Sequence, residues 1–168
     1  MEIQAGGTER QRARHLHAVL LFDLVVNHIF LFLMALTLIN VSKKPLMLVI
    51  MISISLVSYI LIRAKLALKT EQSWYVRCHW QFAAQRARIF LLLFLALGTL
   101  VLVLFYGGHA MGMKKVATWA LTGGLGVLPF MAGILVLIVI EFDAEHQAKT
   151  GKVPAGAIAN YPPPEKNE

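Results

Sequence analysis

Cysteine is almost absent from this sequence. Cys78 is the only one, which excludes an intrachain disulfide and any thiolate metal cluster built by this chain alone. Charge is scarce too, at 15% of 168 residues against 58% hydrophobic residues; that balance excludes an ordinary soluble domain and points to an integral membrane protein. The N-terminal stretch 1–14, with Arg10, Arg12 and Arg14, lacks the small-residue cleavage site that follows a signal peptide's apolar core, so it reads as a retained cytoplasmic arm. Also missing is any recognisable serine, histidine and carboxylate spacing. With the cysteine alone, no converging nucleophile, base or metal set emerges, and the chain reads as non-catalytic on its own.

What is present is four apolar stretches, at about 16–39, 46–62, 89–106 and 116–140, each near the roughly 20 residues a helix needs to cross a bilayer. The expected architecture is an all-α integral membrane fold. Its four transmembrane helices form two antiparallel hairpins, joined by a cytoplasmic interfacial helix at about 73–88. Residues 1–148 make a single four-span domain, and 149–168, rich in Gly and Pro, should be an extended tail that is disordered or lies along another protein. No residue-level similarity between the halves marks an internal repeat.

The formal charge of +7 flanks these spans and so does not suggest nucleic-acid binding. Of the sixteen Lys and Arg residues, all but Lys43, Lys44, Lys114 and Lys115 fall on the side of the N-terminus. The positive-inside rule then puts both termini in the cytoplasm, with the chain in the bacterial inner membrane.

Polar groups interrupt the first span at Asp23, Asn27 and His28. Asp23 lies sixteen residues before Ile39, and Arg63 seventeen beyond Leu46, so both sit about 25 Å from the outer turn and are expected to pair. Asn27 shares the helical face of Asp23, while His28 lies about 140° away and is expected to hydrogen-bond between helices, to Ser53, Ser55 or Ser58. His17 is too far along the axis to chelate a haem with His28.

The central segment from Arg63 to Arg88 mixes basic and aromatic residues. No proline or glycine interrupts 73–88, which reads as a helix continuous with, or bent into, the third span, and Ser73 is suited to cap it. One stripe of that helix carries Trp74, Arg77, Gln81 and Gln85, another Tyr75, His79, Phe82 and Arg86. Trp74, Arg77, Trp80, Gln81 and Arg86 are expected to contact lipid headgroups or a partner subunit. The run Arg77-Cys78-His79-Trp80-Gln81-Phe82, following Thr70 and Trp74 and leading into a new apolar helix, resembles small bacterial membrane proteins of the DUF4870 or Tic20-like kind. That resemblance implies a helical membrane fold and carries no catalytic residues with it.

In the second hairpin, folding back about Met111 puts Gly98 at the depth of Gly124, beside Gly123, as a close packing seam. Pro129 is expected to kink the fourth span. At its end Glu141, Asp143 and Glu145 can neutralise Arg77, Arg86 or Arg88. His109, Met111 and Met113 alternate in the outer turn; in an extended loop they would offer imidazole and thioether groups to Cu(I).

The partners implied are the lipid bilayer and other membrane subunits, with no soluble small-molecule substrate. No cofactor is expected, haem and copper being the weaker readings. The function that fits is a non-catalytic accessory or assembly subunit of a larger inner-membrane complex of an energy-converting kind. The alternatives are a small transporter or ion-handling protein using Asp23, Asn27 and His28, and a copper-binding protein using His109, Met111 and Met113.

Overall fold

The computed structural model describes residues 5–39 and 41–163. Residues 1–4, 40 and 164–168, with Pro164 and Lys166 of the expected tail among them, lie outside the described residues. Four helices are long and apolar enough to cross a membrane: α1 (Gly7–Thr37), α2 (Lys44–Thr70), α3 (Trp74–Ala110) and α4 (Lys115–Thr150). A short α5 (Ala155–Asn160) follows. The described residues contain no sheet. The chain is thus an all-helical, multi-pass membrane protein whose spans meet the lipid bilayer.

These helices are longer than their apolar stretches. At 37 residues, α3 measures about 55 Å, so roughly 25 Å of it exceeds a hydrocarbon layer of about 30 Å. The excess is the segment at 73–88. Of the two arrangements open to it, continuous with the third span or bent into it, the segment takes the first: it forms the opening turns of α3, continuous because no Gly or Pro breaks it. Ser73 stands ahead of the first turn, its Oγ accepting from the Val76 N–H at 3.5 Å.

Two glycines end helices in the left-handed region, Gly112 at φ 71° and Gly151 at φ 81°. Both close the same kind of turn. The Met113 N–H donates to the Gly108 carbonyl at 3.0 Å, and the Lys152 N–H to the Gln147 carbonyl at 2.9 Å, the six-to-one bond that satisfies a helix's last carbonyls.

Two segments depart from α-helical geometry. Asp23–Leu31 in α1 and Gly123–Val127 in α4 are π-helical. The second lies just ahead of Pro129, whose ring would clash with the Leu125 carbonyl in a regular helix; the wider turn, with Leu128 N–H reaching Gly123, takes up that strain.

The chain divides into two compact units, Met1–Ala87 with Ile138–Glu168, and Arg88–Leu137. In the first, helices approach over alanines. Ala13, Ala64, Ala67, Ala83, Ala87 and Ala148 are 0–1% exposed, among Leu16, Leu20, Leu24 and Ile60. Small side chains allow the close contact on which packing depends where lipid removes the hydrophobic driving force.

In the second unit, Phe90, Phe94 and Phe130 stack with ring centroids 5.9–6.4 Å apart. Its glycine seam is not the one expected. A Cβ on Gly98, Gly123 or Gly124 would meet nothing within 4 Å, whereas one on Gly133 would lie 2.6 Å from Leu93 Cδ2, one on Gly126 would overlap Val101, and one on Gly108 would touch Thr118. These three pairs mirror about Met113, not Met111, because α3 continues to Ala110 before turning. A two-residue shift of the pivot displaces the register by about one helical turn.

Candidate functional site

Polar side chains on an apolar helix are tolerated when their hydrogen-bonding groups are matched. The first unit holds two such sets, both rooted in α1.

The first surrounds Asp23. In the π-helical segment, residues five apart come together, so His28 sits beneath Asp23 rather than 140° away. Its Nδ1 lies 3.0 Å from the Asp23 carbonyl oxygen and 3.5 Å from Oδ1. Asn27 Nδ2 donates to Asp23 Oδ1 at 2.9 Å and to the Val49 carbonyl at 3.0 Å, and Ser53 Oγ donates to Asp23 Oδ2 at 3.0 Å. Asp23, Asn27 and His28 are 0% exposed. The structure therefore does not bring Asp23 and Arg63 together. The carboxylate turns to Val49 and Ser53 on α2, while the exposed Arg63 lays its guanidinium 5.2 Å over the Trp80 ring.

The second set joins three helices and the segment after α4. His17 on α1, His79 on α3 and Glu141 on α4 are all 0% exposed. His17 Nδ1 lies 2.5 Å from Glu141 Oε1, His17 Nε2 lies 3.1 Å from His79 Nδ1, and His79 Nε2 lies 2.9 Å from the Lys152 carbonyl oxygen. The other oxygen of Glu141 faces Arg86 Nε at 3.7 Å, an ion pair longer than a hydrogen bond. Arg86 also stacks at 4.2 Å over Phe82. The turn at Gly151 is what aims the Lys152 carbonyl at His79. Removing an ionised carboxylate from water costs several kcal/mol, offset only by close charged partners and hydrogen bonds, and Glu141 has a short contact on one side and a cation on the other.

Around this line, the opening of α3 is fastened by its own side chains. Trp74 Nε1 donates to the Pro162 carbonyl (3.0 Å), Tyr75 OH to Ala148 (2.7 Å), Trp80 Nε1 to Arg12 (2.7 Å) and Gln81 Nε2 to Ala64 (2.5 Å). Each such bond contributes about 1 kcal/mol net, and leaving a buried donor unmatched costs more. Trp80 and Gln81 are only 6% exposed and spend their donors within the chain, so neither offers a free surface to a headgroup; Trp74, Arg77 and Arg86 are half-buried. The segment after α4 is likewise not extended. Val153 and Ala157 are buried at 3% and 0%, and Gly156 packs against Phe82, because the Gly151 turn folds the chain back onto α3.

Glu145 pairs with Arg14 at 2.6 Å, and Asp143 accepts from Gln147 at 2.6 Å. His109 belongs to the last turn of α3, its ring edge-on to Phe105 at 4.8 Å, and Met111 is 78% exposed in a turn closed by Gly112. The extended loop that would align His109, Met111 and Met113 is therefore not formed. Among the described residues, no group of three or more His, Cys, Asp or Glu side chains is arranged to hold a metal ion.

Of the residues singled out by sequence, Asp23, Asn27 and His28 do converge. His17, His79 and Glu141 carry no common sequence signature. The stripe of Tyr75, His79, Phe82 and Arg86 on α3 carried part of the signal, but His17 and Glu141 are 124 positions apart and no spacing connects them.

Comparison with family models, with curated proteins and with solved structures finds no match.

Proposed function

We propose that this protein is a non-catalytic subunit of a larger bacterial inner-membrane assembly, possessing a rigid polar end and apolar helices free to dock. The observation that carries this reading is the uneven burial of α3. Its opening turns are the best-packed part of the chain, yet in its most apolar stretch, of mean hydropathy 2.8, only 6% of residues are buried. Leu92, Leu95, Leu102 and Val103 are all more than half exposed. A span so poorly covered by its own chain is surrounded in the membrane by lipid or by another subunit's helix. Both termini are assigned to the cytoplasm on the distribution of Lys and Arg.

Photo-crosslinking from Leu95, Leu102 and Val103 in native membranes tests this reading, with Met51 on α2 as a second face. One stoichiometric adduct with a larger membrane protein, formed from one face, supports it. Adducts with lipid or with the chain itself from every face contradict it.

A second reading, ion handling through Asp23, Asn27 and His28, is favoured by one observation. Asn27 Oδ1 is buried and has no hydrogen-bond donor among the described residues, so an acceptor stands ready beside a carboxylate. Ion flux in liposomes that is silenced by Asp23→Asn supports this reading; no flux removes it.

A further inference from the structure

One fixed acceptor determines the proton count of the His17, His79 and Glu141 set. The Lys152 carbonyl can only accept, so His79 Nε2 must carry hydrogen. A neutral His79 then presents a bare Nδ1, and the contact with His17 needs hydrogen on His17 Nε2. That leaves a neutral His17 with a bare Nδ1 facing Glu141 Oε1 at 2.5 Å. An ionised Glu141 would set lone pair against lone pair across this contact. If the neutral His17 instead holds its hydrogen on Nδ1, the mismatch moves to the contact with His79. Two neutral histidines and a carboxylate therefore always leave one of three links without a proton.

One added proton completes all three links. It can reside on Glu141, on His17 as an imidazolium, or on His79 as an imidazolium with His17 in its other tautomer. These arrangements differ only in which side of each hydrogen bond a proton occupies: one transfer from Glu141 to His17 Nδ1 and one from His17 Nε2 to His79 Nδ1 leave a carboxylate at Glu141 and an imidazolium at His79, with no atom entering or leaving. The loaded trio is neutral and the empty trio carries one negative charge.

The surroundings suit both states. Arg86, at 3.7 Å from Glu141 Oε2, is close enough to compensate the empty trio. Of the other charged or titratable groups on the elements packed here, Arg14 is taken by Glu145, while Asp143 accepts from Gln147 and its charge also acts on Arg86, which Glu141 shares with it. Tyr75 lies edge-on to His79 at 4.8 Å and donates its hydroxyl to Ala148. One end of the line is the buried Glu141; the other is the backbone of Lys152, an exposed residue beyond the last apolar helix.

We propose that Glu141, His17 and His79 form a buried binding site for one exchangeable proton, whose empty state is held by Arg86. The site is independent of the subunit reading above and does not need a partner.

The test uses the full chain with 15N-labelled histidine in phosphatidylglycerol-containing nanodiscs, following the ring nitrogens of its six histidines from acid to alkaline pH. The expected result is one event in which His17 and His79 shift together. Glu141→Gln, whose amide can donate to His17 Nδ1 as a protonated carboxyl does, is expected to lose the shared event. Separate titrations of His17 and His79 in the wild-type chain, or no movement of either, would overturn the proposal without recourse to the variant. A shared event that persists in folded Glu141→Gln would overturn it too.

Discussion

His17 Nδ1 and Glu141 Oε1 lie 2.5 Å apart with both side chains fully buried, joining the start of α1 to the end of α4. Between them in sequence lie three helix connections and the whole of the second unit. The contact is therefore a tertiary commitment, and removing either partner has consequences beyond local chemistry.

Truncation at Glu141 should separate shape from charge. Glu141→Ala leaves His17 Nδ1 and Arg86 without their shared partner, and breaking a buried pair in this way typically costs about 3–5 kcal/mol. Glu141→Gln also removes the charge facing Arg86 but preserves the volume, a donor for His17 and an acceptor toward Arg86, so it should lose clearly less than Glu141→Ala. Reversible unfolding of the two variants in mixed micelles gives the comparison, and equal losses would contradict it.

The glycine seam makes a paired prediction. Gly126→Ala drives a methyl into Val101, a β-branched side chain with little freedom to move, and should destabilise by about 1–3 kcal/mol. Gly98→Ala meets nothing and should stabilise by about 0.5–1 kcal/mol, the ordinary gain of Ala over Gly inside a helix. Thermal unfolding of both variants checks the sign of each.

Asp23 should not be rescued through Arg63. Exchanging the two charges restores neither the Ser53 and Asn27 hydrogen bonds to the carboxylate nor the stacking of Arg63 on Trp80. The double variant should be at least as poorly folded as the worse single one, measured as yield of monodisperse protein. Recovery to wild-type yield would show that the two side chains do pair.

The segment after α4 guards a thiol. Cys78 is 1% exposed, its Sγ 4.0 Å from the Tyr161 carbonyl oxygen. Deleting 151–168 removes that cover, the acceptor for His79 and the turn at Gly151. Maleimide labelling of Cys78 should be slow in the full chain and approach that of an exposed thiol in the truncated one. Unchanged labelling would mean that other elements shield it.

Much of the fold was legible because apolar length is a strong signal, and 58% hydrophobic composition in four runs has few soluble solutions. The site was legible only where it was local. Asp23, Asn27 and His28 were readable as a polar group on one helix, but the partner of Asp23 was not, since depth along an ideal helix ignores the π turn that rotates it toward Ser53. The 73–88 segment was misleading for a related reason. Trp, Tyr, Arg and Gln suit a headgroup layer, yet the same donors suit a packed end in which each finds a backbone carbonyl, and composition does not distinguish the two. What decides is helix length: α3 begins at Trp74, and its first turns are enclosed by α1, α2, the end of α4 and the segment beyond it.

That enclosure can be tested with one measurement. The chain has three tryptophans, and fluorotryptophan labelling in nanodiscs reports on each through its 19F resonance. Trp80 is 6% exposed and Trp119 is 36% exposed. The structure predicts that Trp80 is untouched both by a water-soluble paramagnetic chelate and by a headgroup-bound one, while Trp119 responds. Broadening of Trp80 by the headgroup-bound probe would contradict a packed polar end and return this segment to the membrane surface.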